Sequence, residues 1–293
     1  MSARRILVIF NPAAGWRRRE RVEQFRRALE ALGCSPVLLE TTGPGVATRL
    51  VAEARRDFDV IAVAGGDGTI NEAVNGLDGH SPPIAVVPLG TANVLAHELG
   101  VPLDMDACAR VVADGPVREI HMGAINGRRR FIMMAGVGFD AHVVNNVTTP
   151  LKRKLGKLAY VAKSVEGMIN YDLEDYELEI DGKRMRAASA VIAKGRYYGG
   201  TFTCAPNARL ADPSFHVCLF RSGGGWNALR YAAGLVTGQL PKFDDVEIVT
   251  AHEVRITGGA SEPVQADGEI VATLPVVATI DPKPLRVVTP RVQ

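Results

Sequence analysis

The chain is constrained most by residues 59–73, D-V-I-A-V-A-G-G-D-G-T-I-N-E-A, in which an apolar run ends abruptly in a glycine-rich turn. Val60 to Ala64 carries no polar residue, which predicts a short strand buried on both faces, as in a parallel sheet. Residues 70–75 then predict a helix. A strand that passes through a tight turn into a helix indicates an α/β fold, and the glycines let the backbone approach a ligand closely.

The glycine-rich turn indicates a phosphate site. A strand-to-helix turn directs free backbone N–H groups outwards, and these groups favour an anion such as phosphate. Asp67 within the turn would repel phosphate unless a metal ion or a transferable proton intervenes. We therefore expect Asp67 to hold Mg²⁺ through water or to handle a substrate proton in a nucleotide site. A turn without a ligand is the alternative for the glycine spacing alone.

Composition limits the classes of partner. A chain of 293 residues has room for about two domains, and 47% apolar with 23% charged residues is typical of a folded protein. The net charge is +2, from 34 basic and 32 acidic residues, so we expect no nucleic-acid partner. No apolar run approaches the ~18–20 residues of a membrane span, so a lipid substrate would be reached from the membrane surface.

Strands and helices alternate up to about Val112, which predicts a parallel sheet with helices on both faces. Besides residues 60–64, strands are expected at 5–10, 35–40 and 84–88, with helices at 17–32 and from about 42 to 56. Ligands of such sheets bind at the carboxyl ends of the strands. Polar or glycine residues follow four of these strands directly and should meet at one edge: Asn11, Thr41, Gly65 to Thr69, and Gly90 to Asn93.

After Arg118, β patterns dominate and predict an antiparallel sandwich or barrel. The boundary is placed between Asp114 and Ile125, which gives domains of residues 1–120 and 121–283. The predicted strands of the second half are residues 119–125, 130–135, 176–180, 186–193, 215–220, 245–249, 253–257, 264–266 and 275–280.

The G-G-D-G-T-I-N-E sequence of residues 65–72 resembles the signature of the diacylglycerol kinase catalytic domain, a family of bacterial lipid kinases related to sphingosine and ceramide kinases. Its G-G-D-G part is shared with NAD kinases and phosphofructokinases, and residues 88–93 are similar to the family's P-x-G-T-x-N block. The resemblance implies an α/β domain like that of those kinases, a β-sandwich, and an active site in the interdomain cleft. It also implies that a strand at about 284–290 returns to the first domain.

The resemblance further implies that the first domain binds ATP. Val94 stands where many bacterial diacylglycerol kinases have an aspartate, which leaves open the lipid that is phosphorylated. The residues expected at the nucleotide are Asn11, Thr41, Thr42, Gly65, Gly66, Asp67, Gly68, Thr69, Ile70, Asn71, Gly90, Thr91 and Asn93. Thr42 is also a candidate cap of the following helix.

Two blocks of the second half resemble acidic blocks of the family. Residues 136–141, G-V-G-F-D-A, imply that Asp140 faces the lipid hydroxyl, although an aspartate there also suits a helix N-cap. Residues 265–269, Q-A-D-G-E, imply that Asp267 and Glu269 reach the nucleotide, although Asp-Gly is also a common hairpin turn. One carboxylate would accept the hydroxyl proton, with Glu269 or Asp267 favoured and Asp67 the rival, and the same three acids are the candidates for holding the catalytic Mg²⁺.

A structural Mg²⁺ is also implied by the resemblance of residues 205–212 to a further block. In relatives its ligands are an aspartate and nearby backbone carbonyls, which correspond here to Asp212 and to the backbone of Arg209 and Ser214. Pro213 replaces the family's glycine and fixes φ, which weakens this correspondence.

Residues 151–170 are basic and amphipathic, with lysines at 152, 154, 157 and 163. They are expected either to bind an anionic membrane surface or to pack on the sheet as an ordinary helix. The sequence as a whole predicts a cytoplasmic, ATP- and Mg²⁺-dependent lipid kinase at the inner face of the membrane, with a homodimer left open. The alternatives are a soluble kinase similar to NAD kinases and a non-catalytic lipid- or nucleotide-binding protein.

Overall fold

A computed structural model describes residues 4–14, 18–54, 57–139, 141, 175–258 and 262–291. It divides into two compact units. The first comprises Met1–Ile120, Gly199–Thr201 and Pro282–Gln293, and the second His121–Tyr198 and Phe202–Asp281. None of the described helices has the length and apolar content needed to cross a bilayer.

In the first 120 residues, strands and helices alternate. A 3₁₀ turn, Pro12–Ala14, follows the first strand. The elements are β1 (Arg5–Phe10), α1 (Arg18–Ala31), β2 (Ser35–Glu40), α2 (Val46–Glu53), β3 (Val60–Gly65), α3 (Asp67–Asn75), β4 (Ile84–Pro88), α4 (Val94–Leu99), α5 (Met105–Asp114) and β5 (Val117–Ile120).

The remaining described residues are mostly β-structure, with one long α-helix and a 3₁₀ turn at Leu240–Lys242. The elements are β6 (Gly123–Ile125), β7 (Arg129–Phe131), β8 (Met134–Val137), β9 (Tyr176–Ile180), β10 (Lys183–Ala187), β11 (Ser189–Ala193), β12 (Tyr197–Tyr198), β13 (Phe202–Thr203), β14 (Phe215–Phe220), α6 (Gly225–Thr237), β15 (Val246–Ala251), β16 (Glu253–Thr257), β17 (Pro263–Ala266), β18 (Glu269–Thr273), β19 (Val276–Ile280) and β20 (Leu285–Val288).

The first unit is built on a six-stranded sheet in the order β2-β1-β3-β4-β20-β5. The strands β2, β1, β3, β4 and β20 run parallel along it, and β5 pairs antiparallel with β20. β3 and β4 are buried along their whole length, which explains their continuous apolar sequence. Helix α1 packs Val22, Phe25 and Leu29 inwards at helical spacing. The predicted α/β class is confirmed.

The second unit contains two six-stranded antiparallel sheets, ordered β10-β9-β16-β19-β6-β7 and β15-β14-β11-β8-β17-β18. Side chains from both sheets form one buried apolar cluster. Within it, the rings of Phe131 and Phe215 stack with centroids 5.8 Å apart. This arrangement confirms the predicted β-sandwich.

Several predicted element bounds were wrong. The run 186–193 is two strands in different sheets, and the chain crosses at Ala188, whose N–H bonds to the Phe220 carbonyl at 2.9 Å. The run 119–125 is likewise divided between β5 and β6. Helix α3 begins at Asp67, three residues before the predicted start, because the glycine turn itself enters the helix. Strand β18 was not predicted.

Candidate active site

Backbone hydrogen bonds join the carboxyl ends of four strands of the first unit. The N–H of Thr41 bonds to the Phe10 carbonyl at 2.8 Å, and the N–H of Asn11 bonds to the Ala64 carbonyl at 3.1 Å. The N–H of Leu89, after β4, bonds to the carbonyl at the end of β3 at 3.0 Å. The residues that follow β2, β1, β3 and β4 therefore lie side by side along one edge of the sheet.

The centre of this edge holds the residues Gly65, Gly66, Gly68 and Gly90, which we call the glycine edge. A Cβ on Gly65 would lie 2.7 Å from Thr69 Cβ, and a Cβ on Gly90 would lie 2.7 Å from the Gly66 Cα. Carbon atoms do not approach so closely, so both positions require glycine. The two loops consequently pack backbone against backbone at Gly66 and Gly90.

Helix α3 presents its N-terminus at the glycine edge. Its N-cap residue, Gly66, has extended backbone and no side chain, and the Asp67 carboxylate accepts a hydrogen bond from its own N–H at the first helical position. The first N–H groups of a helix have no intrahelical acceptor and carry partial positive charge, so they favour an anion. The nine-residue helix thus begins, with its positive end, at the place where β3 ends.

Two polar side chains fix the shape of the edge beside α3. Asn11 Nδ2 donates to Thr69 Oγ1 at 2.9 Å, which ties the residue after β1 to the first turn of α3. The Oδ1 of Asn11 accepts from the N–H of Ala13 at 3.0 Å and holds its own loop. Both side chains thereby position the backbone, and the Thr69 side chain fills the space that requires Gly65.

Asn93 carries a polar atom without a partner. Its backbone has φ +48°, and its Nδ2 donates to the Gly90 carbonyl at 2.9 Å. The Oδ1 is buried and accepts no hydrogen bond from the described residues. Because an unsatisfied buried acceptor costs about 1–3 kcal/mol, this oxygen fits a ligand that brings a donor to the glycine edge.

Asp67 is the only acid among the predicted nucleotide residues, and it opens α3 beside the first turn of α4. Its Oδ1 accepts a 3.4 Å hydrogen bond from the N–H of Leu95, and the N–H groups of Asn93, Val94 and Asp67 itself also donate to the carboxylate. Burial raises the pKa of Asp67, and these backbone donors partly oppose the shift. The carboxylate is half-buried and has capacity for further contacts, because each oxygen carries two lone pairs.

Other predicted nucleotide residues take structural places. Asn71 is 2% exposed, and its Oδ1 accepts from Asn75 Nδ2 at 3.1 Å, so its side chain lies inside α3's packing surface. Ile70 is a core residue. Glu72, next in the motif, accepts from an N–H in the first turn of α2 at 3.0 Å. The Glu72 side chain thus joins α3 to α2.

The threonines of the prediction differ in exposure. Thr41 is buried at the end of β2, whereas Thr42 and Thr91 are exposed on their loops. Thr42 does not cap α2, because the N-cap is Gly45, in left-handed conformation with φ +79°. The prediction of a Thr42 cap was therefore wrong, since three further residues separate it from the helix.

In the second unit, Asp267 and Gly268 form the two-residue turn between β17 and β18. Both have positive φ, +47° and +84°, as a tight hairpin of this kind requires. The Asp267 carboxylate accepts from three successive backbone N–H groups, those of Ile132, Met133 and Met134, at 2.7, 2.9 and 3.1 Å. It thereby closes the bend between β7 and β8.

Glu269 follows the same turn but is bound differently. It begins β18, is exposed, and pairs through Oε2 with Arg129 at 2.7 Å. An exposed ion pair is worth little and exchanges readily. Of the two acids of this hairpin, Glu269 is therefore the one whose carboxylate is accessible to a reacting group.

The carbonyls expected to hold a structural metal face a lysine. Lys194 Nζ donates to the carbonyl oxygens of Asp212, Ser214 and Arg209, at 3.0 Å for Ser214 and 3.5 Å for Arg209. The described residues contain no group of three or more His, Cys, Asp and Glu placed to hold a metal. This arrangement does not fit Mg²⁺, because an ammonium stands where the ion would lie. The sequence reading missed Lys194, although a lysine directly after the apolar run of β11 was a signal of it.

Asp140 and the basic residues 151–170 lie outside the described residues, so their predicted roles stay predictions.

Two family models match the chain: the diacylglycerol kinase catalytic domain at residues 5–125, and the YegS C-terminal NAD kinase beta sandwich-like domain at residues 133–289. The chain is 33% identical over 281 residues to a diacylglycerol kinase of Bacillus subtilis (strain 168), covering 93% of this chain and 92% of that one. It is 28% identical over 284 residues to a diacylglycerol kinase of Staphylococcus carnosus (strain TM300), covering 93% and 90%. A crystal structure of a diacylglycerol kinase from Bacillus anthracis str. Sterne matches the fold with a TM-score of 0.79, at 23% identity over 98% and 96% of the two chains.

Proposed function

Because this chain belongs to the diacylglycerol kinase catalytic-domain family and is an ATP-dependent lipid kinase, we propose that diacylglycerol is the membrane lipid whose hydroxyl it phosphorylates. The proposal of this acceptor rests on the 33% identical relative, whose name gives that substrate. The observation that supports phosphoryl transfer from ATP is the glycine edge with Asp67 beside it. Val94, in place of the family's aspartate, is buried at the start of α4 and offers no polar contact to the lipid.

The triphosphate of ATP binds at the glycine edge. Its charge suits the N-terminus of α3, and the absence of Cβ atoms on Gly66 and Gly90 lets phosphate oxygens reach the backbone. The unpaired Oδ1 of Asn93 accepts a donor such as a ribose hydroxyl or a bound water. Asn11, Thr41 and Thr69 keep the loops in this shape.

Asp67 contributes a carboxylate beside the phosphates. Mg²⁺, which Asp67 would hold, would neutralise charge on the transferring phosphoryl group. The N–H groups at the start of α4 keep the Asp67 carboxylate directed towards the edge. Positioning and charge stabilisation of this kind supply most of the catalysis in phosphoryl transfer.

Glu269 accepts the proton of the lipid hydroxyl. A general base needs a lone pair that the substrate can reach, and Glu269 is exposed with one exchangeable partner. Both carboxylate oxygens of Asp267 already accept hydrogen bonds from three backbone N–H groups. We therefore assign Asp267 the positioning of the β17–β18 hairpin, and Glu269 the proton.

The substrate assignment is tested with purified protein, Mg²⁺ and γ-labelled ATP on mixed micelles that contain diacylglycerol, ceramide, a sphingoid base or phosphatidylglycerol. The expected result is labelled phosphatidic acid, with turnover on diacylglycerol at least tenfold above that on the other lipids. Preferred turnover on ceramide or sphingoid base would overturn the acceptor. Labelling of NAD in place of any lipid would overturn the proposal altogether.

We further propose that the protein meets the membrane through one face of α6. Trp226 is 84% exposed, and Leu229, Ala233 and Val236 follow it at helical spacing and are exposed too. The opposite face is anchored, because Tyr231 packs against Phe220 with ring centroids 5.0 Å apart. A bilayer surface suits a stripe headed by tryptophan, since indole rings prefer the membrane interface and the lipid acceptor lies there.

The stripe is tested by sedimentation with anionic vesicles of phosphatidylglycerol and phosphatidylcholine. Trp226→Ser should weaken binding several-fold, and the matched control Leu103→Ser, at another exposed apolar site, should not. In a Trp16→Phe background, Trp226 is the sole tryptophan, and its emission should shift to the blue on vesicle binding. Unchanged binding, or a change of oligomeric state in place of vesicle affinity, would overturn the membrane assignment.

A further inference from the structure

Lys194 is a lysine with no exposed surface. Lysine is almost never fully buried unless its charge is paired, because removing an ammonium from water costs several kcal/mol. The residue follows β11, and its own N–H bonds to the Met133 carbonyl at 2.8 Å, so its backbone is fixed in the sheet. Its side chain extends into the loop that precedes β14.

The ammonium lies among backbone carbonyls. The three Nζ–H donors have three acceptors, the carbonyl oxygens of Asp212, Ser214 and Arg209. The bond to Ser214 is 3.0 Å and that to Arg209 is 3.5 Å, with Asp212 the shortest of the three. An ammonium has three donors and no acceptor, so this loop satisfies its hydrogen-bonding capacity completely.

These are the carbonyls at which the family resemblance places a structural Mg²⁺. We propose that the ammonium of Lys194 replaces that ion, so that the loop from Arg209 to Ser214 is held by a cation belonging to the chain itself. Mg²⁺ demands near-octahedral oxygen coordination at about 2.0–2.1 Å, which a nitrogen at the centre of the oxygens excludes. A second positive charge beside the ammonium would also be repelled.

The charges around Lys194 agree with this assignment. Burial lowers the pKa of Lys194 to about 8, while the negative charge of Asp212 opposes the shift, so the side chain is still mainly protonated at neutral pH. The pKa of His216, at the start of β14, is lowered by burial first and by the charge of Lys194 as well. The Asp212 carboxylate therefore compensates part of the cost of burying the ammonium.

A tethered cation differs from a bound one in how it stabilises the fold. A metal stabilises by mass action, so its contribution depends on its free concentration and disappears with a chelator. Lys194 is present at every concentration of metal. The unfolding midpoint of the wild-type protein without nucleotide should therefore be the same in EDTA and in millimolar Mg²⁺, to within about 1 °C.

The decisive variant is Lys194→Ala, which leaves three carbonyls around an empty space. It should unfold several degrees below the wild type in EDTA, and Mg²⁺ or methylammonium should restore part of the loss. The matched control is Lys183→Ala, an exposed lysine on β10, which should behave as the wild type under each condition. Differential scanning calorimetry measures all three proteins without reference to kinase activity, so a failed kinase assay leaves the test intact.

Two outcomes would overturn the proposal. One is a wild-type midpoint that falls by several degrees in EDTA, together with a Mn²⁺ site, seen by electron paramagnetic resonance, that Asp212→Asn removes. The other is a Lys194→Ala protein as stable in EDTA as the wild type. The first measurement uses the wild type, so it decides the matter even if Lys194→Ala does not fold.

Discussion

At the carboxyl edge of the first unit, two glycine loops meet backbone against backbone, whereas the second unit covers its loop backbone with charged side chains of its own. Asp267 binds three N–H groups, and Lys194 binds three carbonyls. At the glycine edge, the N-cap of α3 is a glycine without a side chain, and Asn93 Oδ1 has no partner among the residues that the structure describes. Groups left open are available to a ligand, and groups already paired stabilise the fold.

Asp67 is the strongest test of this difference between open and paired groups. It lies at the glycine edge, yet its carboxylate accepts hydrogen bonds from backbone N–H groups, as Asp267 does. Asp67→Asn should lower kcat by about 10³-fold or more, since the neutral amide cannot hold Mg²⁺ or oppose its charge. The unfolding midpoint at pH 7 should stay the same or rise, because a buried charge is removed while an oxygen remains for the α4 amides. Calorimetry and the labelled-ATP assay measure the two effects. If turnover survived, Asp67 would be only a helix cap.

The hairpin acids provide the next test. Glu269→Gln should lower kcat by about 10²-fold with little change in stability, because an exposed ion pair contributes little to folding. Asp267→Ala should instead destabilise the protein by on the order of 3 kcal/mol, since three N–H groups lose a charged acceptor. Urea unfolding and steady-state kinetics of both variants separate the roles. A stable but inactive Asp267→Ala protein would mean that Asp267, and not Glu269, takes the proton.

Gly66→Ala examines the open edge without breaking the loop. A Cβ there would lie 3.4 Å from the Gly90 Cα, which the fold can accommodate, but it would stand where a phosphate oxygen approaches. We expect the KM for ATP to rise by roughly tenfold, or about 1.4 kcal/mol, with the unfolding midpoint nearly unchanged. Gly43→Ala is the matched control, because its Cβ would meet no atom within 4 Å. Equal KM values would mean that ATP does not approach this loop.

The smallest effect is the pH dependence of stability that Asp67 produces. Its pKa is raised in the folded protein by burial, so just above the ordinary aspartate range the folded state binds more protons than the unfolded one. Stability then falls as the pH rises through the folded-state pKa, and the carboxylate's cost persists at neutral pH. Urea unfolding of wild type and Asp67→Asn between about pH 4 and 7 should show a difference that grows with pH and then levels off. If the two proteins differed in stability by the same amount at every pH, Asp67 would not be the source of the pH dependence.

The sequence allowed the glycine edge to be predicted because its information is local. Apolar runs mark β1, β2, β3 and β4, and the residue after each strand lies at the same edge in any parallel sheet. The start of α3 at Asp67 was missed because aspartate, glycine and threonine are weak helix formers. The start of the helix is set instead by the contact between the two loops at Gly66 and Gly90.

The second unit was harder to predict because its contacts are distant in sequence. Residues 186–193 read as one strand, since β propensity does not show where a chain changes sheets. The three N–H groups bound by Asp267 lie more than 130 residues away from it. In the sequence, Lys194 cannot be told from a surface lysine. Its burial depends on the loop of residues 209–214, whose carbonyls surround it only in the folded protein.

Strand β20 lies between β4 and β5, so the parallel sheet of the first unit is completed by Leu285–Val288. During synthesis the ribosome releases this strand after all the strands of the sandwich. The sandwich can therefore fold while its neighbour still lacks a central strand, and a product truncated before Leu285 would leave β4 and β5 without the partner that joins them. The sheet of the first unit is thus complete only after translation has passed Val288.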